Sequence, residues 1–99
     1  MAVAVVIDVP GGTVEQYKEM NRKMFGGKEE PDTTPEGLVI HTAGETGGAL
    51  RIFDVWEKRE DFERFVKQYV EPAMEGPAPA EPVIYELANV ASPALTPTR

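Results

Sequence analysis

The hydrophobic pattern of this chain changes period in a fixed order, and that order leaves few folds open. Val3 to Val9 is short, rich in valine and isoleucine, and closed by Pro10-Gly11-Gly12, the marks of a buried strand and its stop. Thr13-Val14-Glu15-Gln16 has the form of a capping box, and Val14, Tyr17, Met20 and Met24 follow at helical spacing as far as Phe25, before Gly26-Gly27 stops the helix. KEEPDTTPE is polar and proline-broken, a surface connector long enough to serve as a lid. Leu38 to Ala43 and Ala49 to Trp56 are strand-like runs joined by GETGG, which reads as a hairpin. Glu60 to Val70 sets Phe62, Phe65, Val66, Tyr69 and Val70 on one stripe of an amphipathic helix that Pro72 ends or kinks. EGPAPAEP reads as a loop and Val83 to Val90 as a last strand.

Strand, helix, strand, strand, helix, strand is the order of a ferredoxin-like split βαβ fold of the α+β class. It predicts a four-stranded antiparallel sheet with both helices on one face, in a single domain over residues 1–91, followed by a polar C-terminal tail over 92–99 expected to be mobile. An internal echo supports two related halves. Ile7-Asp8-Val9 precedes the first helix as Phe53-Asp54-Val55 precedes the second, and Tyr17, Met20 and Met24 match Phe62, Phe65 and Tyr69 at a constant offset.

Composition bounds what such a domain does. Ninety-nine residues with 41% hydrophobic content support one core and not two. With 17 acidic against 10 basic residues the net charge is -7, so the summed field repels phosphate backbones and anionic lipid. Nucleic acid and membrane are therefore not expected partners. The absence of cysteine excludes disulfides, thiolate metal sites and a cysteine nucleophile, and a cytoplasmic location is expected. MAVAVVIDVP lacks a basic leader and carries Asp8, so it reads as a strand and not as a signal peptide or membrane span.

Alternation along the strands sorts the side chains by face. A hairpin loop with an even number of residues centred on Thr46-Gly47 pairs Ala43 with Leu50, His41 with Ile52 and Val39 with Asp54. Val39, His41, Ile52, Asp54 and Trp56 then share one face, and Leu38, Ile40, Phe53 and Val55 the other. The second set is wholly apolar and is expected beneath the helices, with Val5, Ile7 and Val9. Val6 and Asp8 are expected on the opposite side with His41, Asp54 and Trp56. The helices of one chain cannot cover both sides, so a homodimer is expected, its partner's sheet covering Val6, Val39, Ile52 and Trp56 and enclosing a cavity.

The hairpin GLVIHTAG…LRIFDVWE followed by REDFERFV, within this element order, resembles the dimeric α+β barrel superfamily, which includes antibiotic-biosynthesis-monooxygenase-like and stress-responsive barrel proteins. The likeness extends to about Val90. It implies the fold and a dimer, and a range of activities: cofactor-independent oxygenases, haem-degrading enzymes, decarboxylases, isomerases and members of no known activity. Haem-degrading members use a strand tryptophan, where Trp56 stands, with an asparagine and an iron-binding histidine on the second helix. Here Asp8 holds the first-strand polar position and Glu60 to Val70 contains no histidine, so no haem of that type and no other cofactor is expected. Quinone-forming oxygenases set a strand tryptophan beside asparagine and tyrosine, and Trp56 matches only the first of these.

His41, the chain's only histidine, is the leading candidate for a base near neutral pH, with Asp54 as its carboxylate partner; packing satisfied by Asp54 or a carbonyl is the plain alternative. Trp56, Asp8, Val6 and Ile52 are expected to line the binding cavity, Trp56 as a stacking wall for an aromatic ligand. Asp8 and Asp54 read as a paired acid and base, or as two ligands of an oxygen-preferring metal, or as a solvated pair of carboxylates. Tyr17, Tyr69 and Tyr85 read as core residues with a polar tip. Two function classes follow: an oxygenase- or isomerase-type enzyme on an aromatic or polyketide-like small molecule, and a non-catalytic ligand-binding or structural homodimer.

Overall fold

The computed structural model describes residues 1–74 and 80–91. The expected tail over 92–99 and residues 75–79 of the EGPAPAEP loop lie outside the described residues. The elements are β1 (Val3–Pro10), α1 (Val14–Met24), β2 (Leu38–Thr46), β3 (Ala49–Trp56), α2 (Arg59–Phe65), a π-helical turn (Val66–Val70), α3 (Glu71–Ala73) and β4 (Val83–Glu86). The strands form one antiparallel sheet in the order β2-β3-β1-β4, which fits the ferredoxin-like arrangement. No helix among the described residues is long and apolar enough to cross a membrane.

The local signals act as their chemistry requires. Thr13 accepts the Gln16 N–H at 3.1 Å while the Gln16 side chain accepts the Thr13 N–H at 3.2 Å, a complete capping box. At the other end Gly26 and Gly27 adopt φ of 66° and 95°, and the Gly27 N–H returns to the Arg22 carbonyl at 2.7 Å, closing α1 with a Schellman-type cap. Pro72 does not end the second helix. Lacking an N–H, it cannot bond the carbonyl four residues back, and the helix widens into the π turn before running on to Ala73. The last strand stops at Glu86, short of the expected Val90.

Two registers decide the faces. Thr46 pairs with Ala49, so the hairpin turn is Gly47-Gly48 and not Thr46-Gly47, with Gly48 at φ 106°. His41 consequently opposes Asp54 and Ala43 opposes Ile52, each partner displaced by two residues from the expected pairing. A bulge between Leu38 and Ile40 then brings Leu38 opposite Trp56. On the other side of β3, Val3 pairs with Trp56, Val5 with Asp54 and Ile7 with Ile52. One face therefore carries Leu38, His41, Ile52, Asp54 and Trp56 with Val3, Val5 and Ile7.

That face lies under the helices. Val3, Val5, Trp56 and Phe62 form the buried core, with Ile7, Leu38, Phe65, Val66 and Ile84 packed against it. Trp56 is 1% exposed, its ring centroid 5.9 Å from Phe62 and 5.5 Å from Phe65. The expected assignment is thus reversed for the hairpin beyond Leu38, which lies under the helices as expected: His41, Asp54, Trp56 and Ile52 are on the helix side, and Ile40 and Phe53 on the other. The strand β1 follows expectation, with Val5 and Ile7 inward and Val6 and Asp8 outward. Val6 and Asp8 are accordingly parted from His41, Asp54 and Trp56 by the thickness of the sheet.

Candidate functional site

A buried carboxylate organises the interior of the sheet. Asp54, 5% exposed, sits mid-strand beside the core, where an unpaired charge would be costly. Both its oxygens are partnered. Oδ1 lies 2.6 Å from His41 Nδ1, and Oδ2 accepts the Trp56 indole N–H at 3.2 Å. Because a carboxylate only accepts, Nδ1 carries the hydrogen, which leaves Nε2 of a neutral ring as the acceptor. That nitrogen is hydrogen-bonded to the hydroxyl of Tyr17 on α1. The Tyr17 and His41 rings lie nearly parallel, 20° apart, with centroids separated by 5.9 Å.

The result is a continuous chain from Trp56 through Asp54 and His41 to Tyr17. Its inner end is closed and its outer end is accessible: the His41 side chain keeps 39% of its surface exposed, against 7% for Asp54. A carboxylate fixing one ring nitrogen while the other faces an O–H donor is the arrangement that makes an imidazole a directed base. Burial pushes the Tyr17 phenol above its ordinary range, a hydrogen bond from Asn21 pulls the other way, and the charges of Asp54 and Glu30 add to the upward push. Tyr17 is therefore a phenol, not a phenolate, and donates to His41.

Compared with models of known protein families and with curated proteins, the chain matches none. The site has to be read from its own geometry.

Tyr17 and Asn21 are the members that the sequence pattern misses. Tyr17 falls on the apolar stripe of α1 and reads as core, while Asn21 interrupts that stripe one turn later, a buried polar position that is the available signal. Asn21 Nδ2 also donates to the Glu29 carbonyl at 3.1 Å, tying the connector after α1 to the site. The start of α1 is held from the hairpin, where Glu45 Oε1 accepts the Val14 N–H at 2.7 Å. Both ends of the helix that carries Tyr17 are thus fastened to neighbours.

The remaining expected site residues have other duties. Asp8 lies on the far face in a two-point ion pair with Arg51, at 2.7 and 2.9 Å. The Arg51 hydrogen bond holds the Asp8 carboxyl below its usual range against the opposing effect of desolvation, and the Arg51 charge adds to the lowering. Asp8 and Asp54 therefore form neither an acid–base pair nor a shared metal site. Trp56 is sealed into the core and offers no stacking wall. Its indole positions Asp54 instead. Ile52 is on the site's face beside Ile7, while Val6 lies across the sheet next to Phe53. Among the described residues no group of three or more His, Cys, Asp or Glu side chains could hold a metal ion.

Proposed function

We propose that this protein is a small-molecule-binding α+β barrel protein of cofactor-independent, oxygenase- or isomerase-like type, in which His41 and Asp54 form a general-base pair acting on a hydroxy-aromatic or enol substrate. The observation that carries the reading is the approach of the Tyr17 phenol to His41 Nε2 while Nδ1 is held by a buried carboxylate. The molecule thereby presents its own model of the ligand: a phenolic hydroxyl delivered to a fixed imidazole. A substrate hydroxyl that displaces or joins Tyr17 there would lose its proton to Nε2, and Asp54 would stabilise the imidazolium formed. The resemblance of the hairpin and second helix to the dimeric α+β barrel superfamily supports the same reading.

The partner in this proposal is a second copy of the chain, laid across the sheet face away from the helices. Ile40, Val83 and Tyr85 are there 49%, 61% and 48% exposed, an apolar set that a two-fold related sheet would cover. It replaces the set Val6, Val39, Ile52 and Trp56 inferred from the pattern, of which Trp56 and Ile52 belong to the interior. A cytoplasmic location accords with the acidic, cysteine-free composition.

A naphthol is the direct probe, because the naphtholate absorbs at longer wavelength than the neutral form. Binding should convert naphthol to naphtholate near neutral pH, and His41→Ala should abolish the conversion. A naphthol that binds only in its neutral form would sink the base assignment. The second reading is a non-catalytic dimer, which two hollows lying away from His41 support. Hollows of about 380 and 320 Å3 are lined by Val3, Lys58 and Ile84 and by Thr42, Arg51 and Phe53, and neither includes His41.

A further inference from the structure

The chain of hydrogen bonds that prepares His41 as a base also prepares Tyr17 for a different chemistry. One-electron oxidation makes a phenol strongly acidic, so a tyrosine is easily and reversibly oxidised only where its proton already has an acceptor in contact. Tyr17 has that acceptor in His41 Nε2, the chain's single imidazole. Tyr69 lies among Phe25 and Phe65, and Tyr85 lies across the sheet. The proton received by His41 is in turn balanced by the Asp54 carboxylate at 2.6 Å, whose second oxygen is held by Trp56. Such a chain polarises as one unit, which lowers the cost of moving the proton.

From this geometry we infer that Tyr17 is a redox-active tyrosine, oxidised to a neutral phenoxyl radical by one-electron oxidants of the organic-radical class, with His41 holding the proton. In the forward step the Tyr17 O–H bond breaks and an N–H bond forms at His41 Nε2. One electron passes to the oxidant, a peroxyl or phenoxyl radical, which becomes the corresponding anion and takes a proton from water. The products at the site are the Tyr17 phenoxyl and a His41 imidazolium facing Asp54. An electron from a small reductant of the thiol or ascorbate class, together with the proton returned from His41, restores the phenol. This goes beyond the base chemistry proposed above and is independent of it: a naphthol that binds without deprotonation leaves it standing.

The test is photo-oxidation of the whole protein by a ruthenium tris-bipyridine sensitiser with persulfate, followed by EPR and phenoxyl absorption. The wild type should give a phenoxyl signal that is lost in Tyr17→Phe and kept in Tyr69→Phe and Tyr85→Phe. His41→Gln should slow its formation by about a hundredfold, the lower end of what a positioned base contributes to proton transfer. In the unaltered protein the rate should fall in D2O, a measurement that needs no variant to fold. A phenoxyl that survives Tyr17→Phe, or one that forms without a solvent isotope effect, overturns the assignment.

Discussion

His41 and Asp54 stand directly opposite each other on adjacent antiparallel strands, with Nδ1 and Oδ1 2.6 Å apart beneath the helices. Cross-strand pairing brings the two Cβ atoms to about 5 Å, short enough for a direct contact between these side chains. The carboxylate determines which ring nitrogen bears the hydrogen, and so what Nε2 can do.

Asp54→Asn is expected to preserve the fold and reverse the tautomer. An amide side chain donating to Nδ1 leaves the hydrogen on Nε2, which then cannot accept from Tyr17 or from a substrate. Proton transfer to His41 should fall by about 10²–10⁴-fold. Nitrogen-15 NMR of the imidazole reads the tautomer directly, and an unchanged Nδ1–H form in the variant would contradict the relay.

Trp56 should matter for stability before it matters for ligand binding. Its indole is buried against Phe62 and Phe65. Trp56→Ala is expected to cost about 3–5 kcal/mol in urea unfolding, as for other buried aromatics. Trp56→Phe keeps much of the packing and removes only the N–H donor to Asp54, so it should cost less while still disturbing the His41 ring. Equal losses in the two variants would show that the N–H bond to Asp54, and not packing, accounts for Trp56, and would contradict this expectation.

Gly37 should not tolerate a side chain. It has φ of 84°, and a Cβ there would come within 2.1 Å of Asp61 Oδ2. Asp61 is itself buried and paired with Arg64 at 3.1 Å. Gly37→Ala combines a left-handed backbone, costing about 1–2 kcal/mol, with displacement of that ion pair. Gly26→Ala, at φ 66° with no neighbour within 4 Å, should cost the backbone contribution only. Thermal unfolding of the two variants separates these effects, and a Gly37→Ala loss no larger than that of Gly26→Ala would refute the clash.

Tyr17 and Asp8 give stability opposite slopes at opposite ends of the pH range. Tyr17 is raised in the folded state, so its contribution is fully present below the unfolded value near 10 and is lost as pH rises through the folded value. Difference spectra of wild type against Tyr17→Phe should show tyrosinate forming late at this position. Asp8 is lowered, so its contribution is present above the unfolded value near 4 and is lost as pH falls through the folded value. Asp8→Asn should flatten the acid side of the stability curve and leave the alkaline side alone.

Charge placed on the outer face should dissociate the proposed dimer. Val83→Glu or Ile40→Glu sets a carboxylate among the exposed apolar side chains of that face, on one or the other edge strand. Light scattering at micromolar concentration should report a dimer for the wild type and a monomer for either variant, with His41 chemistry retained if the site is complete within one chain. A monomeric wild type would remove the proposed interface.

The order of elements, the capping box of α1, the glycine stop after it, and the common face of His41, Asp54 and Trp56 are legible in the pattern of residues alone. That last inference survived an error in the turn, because moving the hairpin centre from Thr46-Gly47 to Gly47-Gly48 shifts the pairing by two residues and a period of two is blind to such a shift. Which face the helices cover is not legible there and follows from packing. Alternation groups side chains but does not rank the groups, and both faces here hold large apolar residues. The pattern favoured the wholly apolar set as the interior, since buried polar groups are costly when unpartnered. In the fold the bulge carries Leu38 round to join Trp56, Val3 and Val5, and the polar members of that face satisfy one another: Asp54 takes both His41 and the indole, and Tyr17 reaches His41 from a helix remote in sequence. Those partners meet only after the chain has packed, so the balance between a mixed face and an apolar one had no local signature to read.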